Sequence, residues 1–198
     1  MKSSLLFLAA TLLFSTATRA DTPVTAVREV DLNRYLGRWF DVRSIPNRFQ
    51  KGCTDTTATY SLNADQSLRV ENECTILDND NGNGKVKTSR VVGKAWVKNE
   101  GRSQLKVSFA CLFGLCTELA GGNYWVLALG PIQQERYSWA IVGEPTRKYG
   151  WVLSRTAALS IDQMAEVEAS LKEQGYLPSQ FSSTPQSKAQ GQPQDKPQ

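Results

Sequence analysis

The sequence predicts an all-β fold: an eight-stranded antiparallel up-and-down β-barrel with one C-terminal α-helix packed on its outside. Three observations carry this. Beyond Trp39 the chain alternates apolar and polar residues with period two, in short runs punctuated by turn residues. In strand 67–74 the charged residues Arg69, Glu71 and Glu73 share one parity, so that face meets water and the other a common interior. One late stretch changes to helical spacing: Ile161, Met164, Val167 and Leu171 share a face, with Ser160 and Gln163 as a capping box and Gly175 as the stop.

The elements follow in order. A helical turn is expected at residues 32–36. Gly37 then redirects the backbone, and Trp39 enters the first strand with Phe40 and Val42 on its other face. An indole at a strand entrance plugs one end of a core, so Trp39 is read as the floor of the barrel. Strands are expected at residues 38–45, 56–62, 67–74, 87–98, 104–110, 123–129, 135–142 and 150–155. Closing the meander removes its exposed edges. Up-and-down topology puts the tight turns at 63–66 and 99–102 at the Trp39 end. The longer loops at 46–55, 77–86, 111–122 and 144–149 ring the opposite end as a mouth.

Parity sorts the faces. Leu68, Val70 and Asn72 point in against Arg69, Glu71 and Glu73; Leu105, Val107 and Phe109 point in against Lys106 and Ser108. The full inward set that could line a ligand site is Ala58, Tyr60, Val70, Asn72, Val91, Val107, Phe109, Tyr124, Val126, Ala140, Val142 and Trp151, with Tyr149 from the mouth. Taken singly, each of these could equally fill a barrel core. Charged outer faces exclude a membrane barrel, whose outer band is apolar. The strands around Phe40, Trp139–Ile141 and Val152 are apolar on both faces, so the helix is expected to cover them.

Composition sets the compartment. Lys2, an apolar run at residues 5–14 and small residues up to Ala20 read as a secretory signal peptide, residues 1–20. The run is too short to span a membrane. The first Cys is Cys53, so the mature chain is expected to be a soluble periplasmic or secreted protein and not a lipoprotein. Without Lys2 and Arg19 the net charge falls from +4 to +2 and the basic residues are scattered, which is no nucleic-acid signature. There is no His, which removes His-based triads and His metal ligands. Four Cys in an oxidising compartment are candidate disulfides with three connectivities. The strand-end position of Cys53 and Cys74 and the shared loop of Cys111 and Cys116 favour Cys53–Cys74 and Cys111–Cys116. A Cys-based metal site is the alternative, though the spacing lacks Cys-x-x-Cys. The remaining division is an N-terminal extension at 21–31, the barrel and helix at 32–181, and a disordered tail at 182–198.

Several of these runs resemble the lipocalin family, and within it the bacterial lipocalin and apolipoprotein D-like group. They are Tyr35-Leu36-Gly37-Arg38-Trp39-Phe40, which carries the family's Gly-x-Trp signature, Ala58-Thr59-Tyr60, Gly93-Lys94-Ala95, Tyr124-Trp125-Val126 and Trp151-Val152-Leu153-Ser154-Arg155. The resemblance implies a calyx for a small hydrophobic ligand and a floor built from Gly37, Trp39 and Arg155. The family's Thr-Asp-Tyr turn is absent; Gly130-Pro131-Ile132-Gln133-Gln134-Glu135 stands there.

With the resemblance, the inward set reads as a pocket. The expected function is non-covalent binding and transport of a fatty acid or lysophospholipid, with Asn72, Tyr60 and Tyr124 orienting a headgroup near the mouth. Retinoid-like or isoprenoid ligands are alternatives. The expected partners are that lipid and, transiently, a membrane surface, with no nucleic acid; the chain is expected to be a monomer or weak dimer. No catalytic residue, metal or cofactor is assigned. A lipid-modifying enzyme, isomerase or de-epoxidase-like, is one rival and would need Cys74 as a free thiol. A surface-interaction protein using Phe49 and Leu112-Phe113-Gly114-Leu115 is the other.

Overall fold

The computed structural model describes residues 22–78, 85–113 and 115–187. The expected signal peptide at 1–20, the loop tip at 79–84 and the tail at 188–198 lie outside the described residues. The elements are α1 (Leu32–Tyr35), β1 (Gly37–Ser44), β2 (Cys53–Leu62), β3 (Leu68–Asp78), β4 (Lys85–Val97), β5 (Gln104–Ser108), β6 (Cys111–Leu112), β7 (Leu115–Cys116), β8 (Gly122–Leu129), β9 (Ile132–Gln133), β10 (Arg136–Tyr137), β11 (Trp139–Gly143), β12 (Gly150–Ser154), α2 (Ile161–Glu173) and β13 (Ser182–Ser183). One sheet runs β12-β11-β8-β5-β4-β3-β2-β1-β13, and β12 also pairs with β1. Eight antiparallel strands thus close a barrel, with β13 added beside β1.

Two apolar cores share the wall of this barrel. Inside, Trp39, Tyr35, Tyr60, Leu68, Val70, Ala95, Val126, Ala140 and Val142 pack together. Outside, Val167 and Leu171 of α2 press on Val42, Ile141 and Val152, joined by Tyr176 and Phe181. Each fully buried anchor of this kind contributes about 1.5–3 kcal/mol. The capping box of α2 is formed: Gln163 N donates to Ser160 Oγ at 3.2 Å and Ser160 N donates to Gln163 Oε1 at 3.0 Å. Ile161, expected on the packing face, is 88% exposed; the helix meets the barrel only from its second turn on.

A bulge in β1 lets one strand serve both cores. Asp41 pairs with Leu153 and Arg43 with Val152, leaving Val42 as the extra residue. The shift turns Arg43 outward. Its Nη1 donates to Glu168 Oε1 of α2 at 3.0 Å, and its Nη2 donates to the carbonyls of Pro178 and Phe181 at 3.2 and 3.1 Å.

The Trp39 end is sealed. Arg155 lies over the Trp39 indole at 3.6 Å from the ring centroid. Its Nη2 is shared among the carbonyls of Arg34, Tyr35 and Leu36, each at 3.0 Å, and its Nη1 donates to Arg38 O at 2.6 Å. The β9–β10 hairpin supplies the third support. Arg155 Nε donates to Tyr137 O at 3.3 Å, and Asp31 N donates to Tyr137 Oη at 3.2 Å. This corrects the expected strand at 135–142: it divides at Ser138, whose N–H turns to Pro131 O at 3.0 Å. The segment at 22–31 is part of the packed domain. Val30 is buried in the inner core, and its N–H donates to Gly101 O at 2.8 Å in a floor turn.

Both disulfides are formed. Cys53 pairs in register with Ile76, so its bond to Cys74 is diagonal across β2 and β3, with the Cα atoms 5.4 Å apart. Cys111 and Cys116 face each other in the β6–β7 hairpin, inside what the sequence reads only as a loop.

The first residues of the expected disordered tail are ordered. β1 and β2 pair only from Gly37–Tyr60 to Phe40–Thr57 and then diverge. The chain at 182–186 fills the gap. β13 pairs with Arg43 and Ser44, Thr184 N donates to Val42 O at 3.0 Å, and Asp55 N donates to Pro185 O at 2.8 Å. Gln186 is buried, and its Nε2 donates to Asp41 O at 2.8 Å and Thr56 O at 3.0 Å, one carbonyl on each wall. Backbone groups, not apolar side chains, hold this strap, which is why composition did not reveal it. Gln186→Ala is expected to lower stability by about 1–3 kcal/mol, because it strands two buried carbonyls; urea unfolding measures this, and an unchanged midpoint would contradict it.

Candidate ligand-binding site

The barrel interior is layered from the floor upward. On Trp39 rest three phenols. Tyr124 Oη lies 2.7 Å from both Tyr35 Oη and Tyr60 Oη. Burial, above all, raises all three well above the ordinary phenol range, so they stay protonated. Three phenols hold three donors and make two mutual bonds, so one O–H remains for another acceptor. A cavity of about 10 Å³ lies among Val30, Tyr35, Tyr60, Leu68, Leu105 and Tyr124, room for one water. The lower barrel is therefore a filled core.

Asp41 forms the next layer. It shares the parity of Trp39 and points in, almost fully buried. Gln50 Nε2 donates to its Oδ2 at 2.6 Å and Thr184 Oγ1 to its Oδ1 at 3.2 Å. Gln50 Oε1 in turn accepts from the Trp151 indole N–H at 2.9 Å and from Asn47 Nδ2 at 2.7 Å. Burial pushes the Asp41 carboxyl up to about 6, against the downward pull of bonds from Gln50, Thr184 and Ser44. This network fastens the 46–51 lid to the calyx wall.

Above it the calyx opens. Val91 faces inward by register, and the Phe109 ring lies against the inward side of Gly93, yet they are 44% and 39% exposed. Asn72 lies level with Val91 on the neighbouring strand, its Oδ1 without a hydrogen-bond partner among the described residues. Tyr149 stacks on Trp151 with centroids 6.1 Å apart and an interplanar angle of 6°. The 144–149 loop is held by Glu144. Burial raises its carboxyl, but bonds from Thr146, Lys148 and Tyr149 outweigh this and leave it below its ordinary value. On the flank, between lid and strap, a crevice of about 500 Å³ is lined by Ser44, Asn47, Arg48, Gln50, Lys51, Cys53, Thr56 and residues 182–185.

The inward set thus divides by height. Ala58, Tyr60, Val70, Val126, Ala140 and Val142 are buried in the lower core, with Val107, Tyr124 and Trp151 packed against it. Asn72, Val91, Phe109 and Tyr149 belong to the mouth. Tyr60 and Tyr124, expected near the mouth, are near the floor: Tyr60 pairs with Gly37 and Tyr124 with Leu105. Sequence reasoning missed Tyr35, Asp41 and Gln50. Only Asp41 left a trace, a carboxylate on the inward parity of Trp39. Among the described residues no group of three or more His, Cys, Asp or Glu could hold a metal ion.

Comparison with known proteins agrees with this geometry. A family profile described as a lipocalin-like domain matches residues 30–186. The chain belongs to the lipocalin family. It is 36% identical over 164 residues to temperature-induced lipocalin-1 of Arabidopsis thaliana, covering 81% of this chain and 82% of that one. It is also 36% identical over 159 residues to the outer membrane lipoprotein Blc of Escherichia coli K12, covering 80% of each. Among solved structures, insecticyanin of the tobacco hornworm Manduca sexta superposes with a TM-score of 0.62 at 20% identity, over 86% of this lipocalin and 88% of that chain. That last likeness speaks to the fold alone.

The Asp41 layer makes stability depend on pH. A carboxyl held at about 6, above its ordinary 3.8, binds its proton more tightly folded than unfolded. Its contribution is fully present below about pH 4 and is lost as pH rises towards 6, about 3 kcal/mol in all. Asp41→Asn removes this term. Urea unfolding between pH 4 and 8 should show the variant gaining on the wild type up to about pH 6 and holding level above; a difference independent of pH would contradict the assignment.

Proposed function

We propose that this lipocalin binds and carries one small hydrophobic ligand with a polar head, a fatty acid or lysophospholipid, in the upper calyx. The observation that carries the reading is the exposure of Val91, which faces inward by register, and of Phe109 beside Gly93. An apolar recess with few polar groups is what such ligands occupy. The packed phenol layer limits how deep the chain can go, so the ligand sits beneath the lid rather than on the floor. Asn72 takes the headgroup role; Tyr60 and Tyr124 lie too low for it.

The reading is non-enzymatic carriage. The thiol chemistry that Cys74 would need is blocked by its bond to Cys53. The apolar N-terminal run supports export to the periplasm or beyond. Blc is described as an outer membrane lipoprotein. No helix among the described residues is long and apolar enough to cross a membrane. The exposed Phe49, Leu112, Phe113 and Leu115 at the mouth support a transient membrane contact during ligand transfer.

Titration with a fluorescent fatty acid tests the reading. Saturable binding at one site, displaced by oleate and by a lysophospholipid, is expected. A signal that rises linearly without saturating, or that neither competitor displaces, would sink it.

A further inference from the structure

The barrel closes at its floor end, but one strand keeps an open edge above it. β4 pairs with β3 from Lys85 to Ala95 without a register shift. On its other side it pairs with β5 only from Lys94 to Val97. β5 ends at Ser108, and the chain then folds into the β6–β7 hairpin, whose strands pair with each other. In an antiparallel sheet a residue's N–H and C=O leave the strand on the same side, and that side alternates along the chain. Lys98 N donates to Gln104 O at 2.8 Å, on the β5 side. Val86, Thr88, Arg90 and Val92 share its parity, and none of them has a backbone partner on that side among the described residues. Cys111 Sγ lies 3.7 Å from Val92 O, but a disulfide sulfur has no proton to give.

Sheet edges are commonly blunted by a Pro, a bulge or a protruding charge, because a bare row of donors and acceptors is a template for another strand. Residues 85–93 contain no Pro, and their ladder to β3 has no bulge. Arg90 is held by Glu71 and Glu73 of β3, at 2.6 and 3.4 Å, so its charge is met within its own chain. Thr88 and Arg90 are exposed, and Val86 is 66% exposed. Lys87, Ser89 and Val91 alternate with these residues and lie on the inner face of the sheet.

We propose that this edge is an interaction surface for a second copy of the chain, which pairs antiparallel, β4 to β4, about a two-fold axis at Ser89. The register chooses the occupant. The outward-bonding residues must meet each other across the axis, which leaves few alignments. Centred on Ser89, Val86 stands opposite Val92 of the partner subunit and Thr88 opposite Arg90 of the partner subunit. On the inner face Lys87 stands opposite Val91 of the partner subunit, and the two Ser89 residues meet. No like charges are opposed, and every open N–H and C=O of the four edge residues gains a partner. Centring on Arg90 would set two guanidinium groups face to face, and centring on Thr88 would leave Val92 with no β4 residue opposite. The pairing joins two barrels through one continuous sheet, in the half of each that carries the mouth. It is a property of the ladder and holds whether or not the calyx is filled.

Sedimentation velocity over a concentration series tests the surface, with wild type, T88K and T88E compared. The wild type should show a reversible monomer–dimer equilibrium. T88K sets Lys opposite Arg90 of the partner subunit, twice per dimer, and should weaken dissociation by about tenfold; T88E should tighten it by a similar factor. The exposed position makes both variants compatible with the folded barrel, and their opposite signs separate pairing from a general loss of structure. Amide hydrogen exchange on the wild type supplies the second readout. The Thr88 and Arg90 amides should exchange more slowly as concentration rises, while those of Ser89 and Val91, which face β3, should be slow at every concentration. A dimer with both signatures supports the surface. A chain still monomeric at about 1 mM overturns it. So does a dimer that ignores both substitutions, or one whose Thr88 and Arg90 amides stay as fast as in the monomer, since its contact then lies elsewhere.

Discussion

The structure depends on the stack of Arg155 on Trp39. α1 is a single turn, far too short to hold itself together in water; Leu32 O is bonded within it, but the carbonyls of Arg34, Tyr35 and Leu36 need partners from outside. Arg155 supplies those partners from far along the chain, just after the last barrel strand. The same guanidinium covers the indole face, a cation–π contact that strengthens when water is excluded. Trp39 answers by donating its indole N–H to Tyr35 O at 2.8 Å, inside the turn that Arg155 caps. First turn, first strand and last strand are thereby locked in one place. Gly37 fits because its φ of +91° is costly for other residues and because a Cβ there would lie 3.1 Å from Arg136 Nη1. Burial first, and then the neighbouring Arg136, push Arg155 down to about 10, still charged at neutral pH.

A floor closed so firmly assigns the rest of the molecule its tasks. β1 leaves it with Trp39 and Asp41 inside and Val42 and Arg43 outside, because a bulge breaks its alternation. The outer side binds α2; the inner side rises through three phenols to a carboxylate that fastens the lid. The lid, the strap and the inward apolar residues still in contact with water lie at the far end. The two disulfides also stand in that half, one tying β2 to β3 below the long hairpin and one closing a rim hairpin. The sealed floor and the proposed binding end thus stand at opposite ends of one barrel.

The sequence exposed what depends on side-chain alternation and local chemistry. Parity read the inner face of β3, where Arg69, Glu71 and Glu73 fall at every second residue, and of β4 and β5, where apolar residues alternate with Lys94 and Lys106. The capping box of α2 was visible as specific residue types at a fixed spacing and Trp39 as an indole at a strand entrance, while Arg155 as its partner came from the family resemblance. Height within the barrel was not visible. Parity says that Tyr60 and Tyr124 face in, but not that they meet Tyr35 at the floor. The strap was hidden because its bonds are backbone carbonyls and one glutamine, in a stretch whose composition resembles a linker. The division at Ser138 was hidden because a two-residue hairpin carries too little pattern to separate from the strand that follows it. The Asp41 network was hidden because its partners, Gln50 and Thr184, are far away in sequence and unremarkable in type.

The central claim is that ligand enters and stays at the lidded end while the floor is inert. Two indoles report on it separately. The Trp151 N–H donates to Gln50 under the lid, and the Trp39 N–H donates to Tyr35 on the floor. In a ¹⁵N–¹H correlation spectrum titrated with oleate, the account predicts that the Trp151 indole resonance moves to a saturating endpoint while the Trp39 resonance stays in place. Movement of Trp39 with Trp151 unchanged would contradict it.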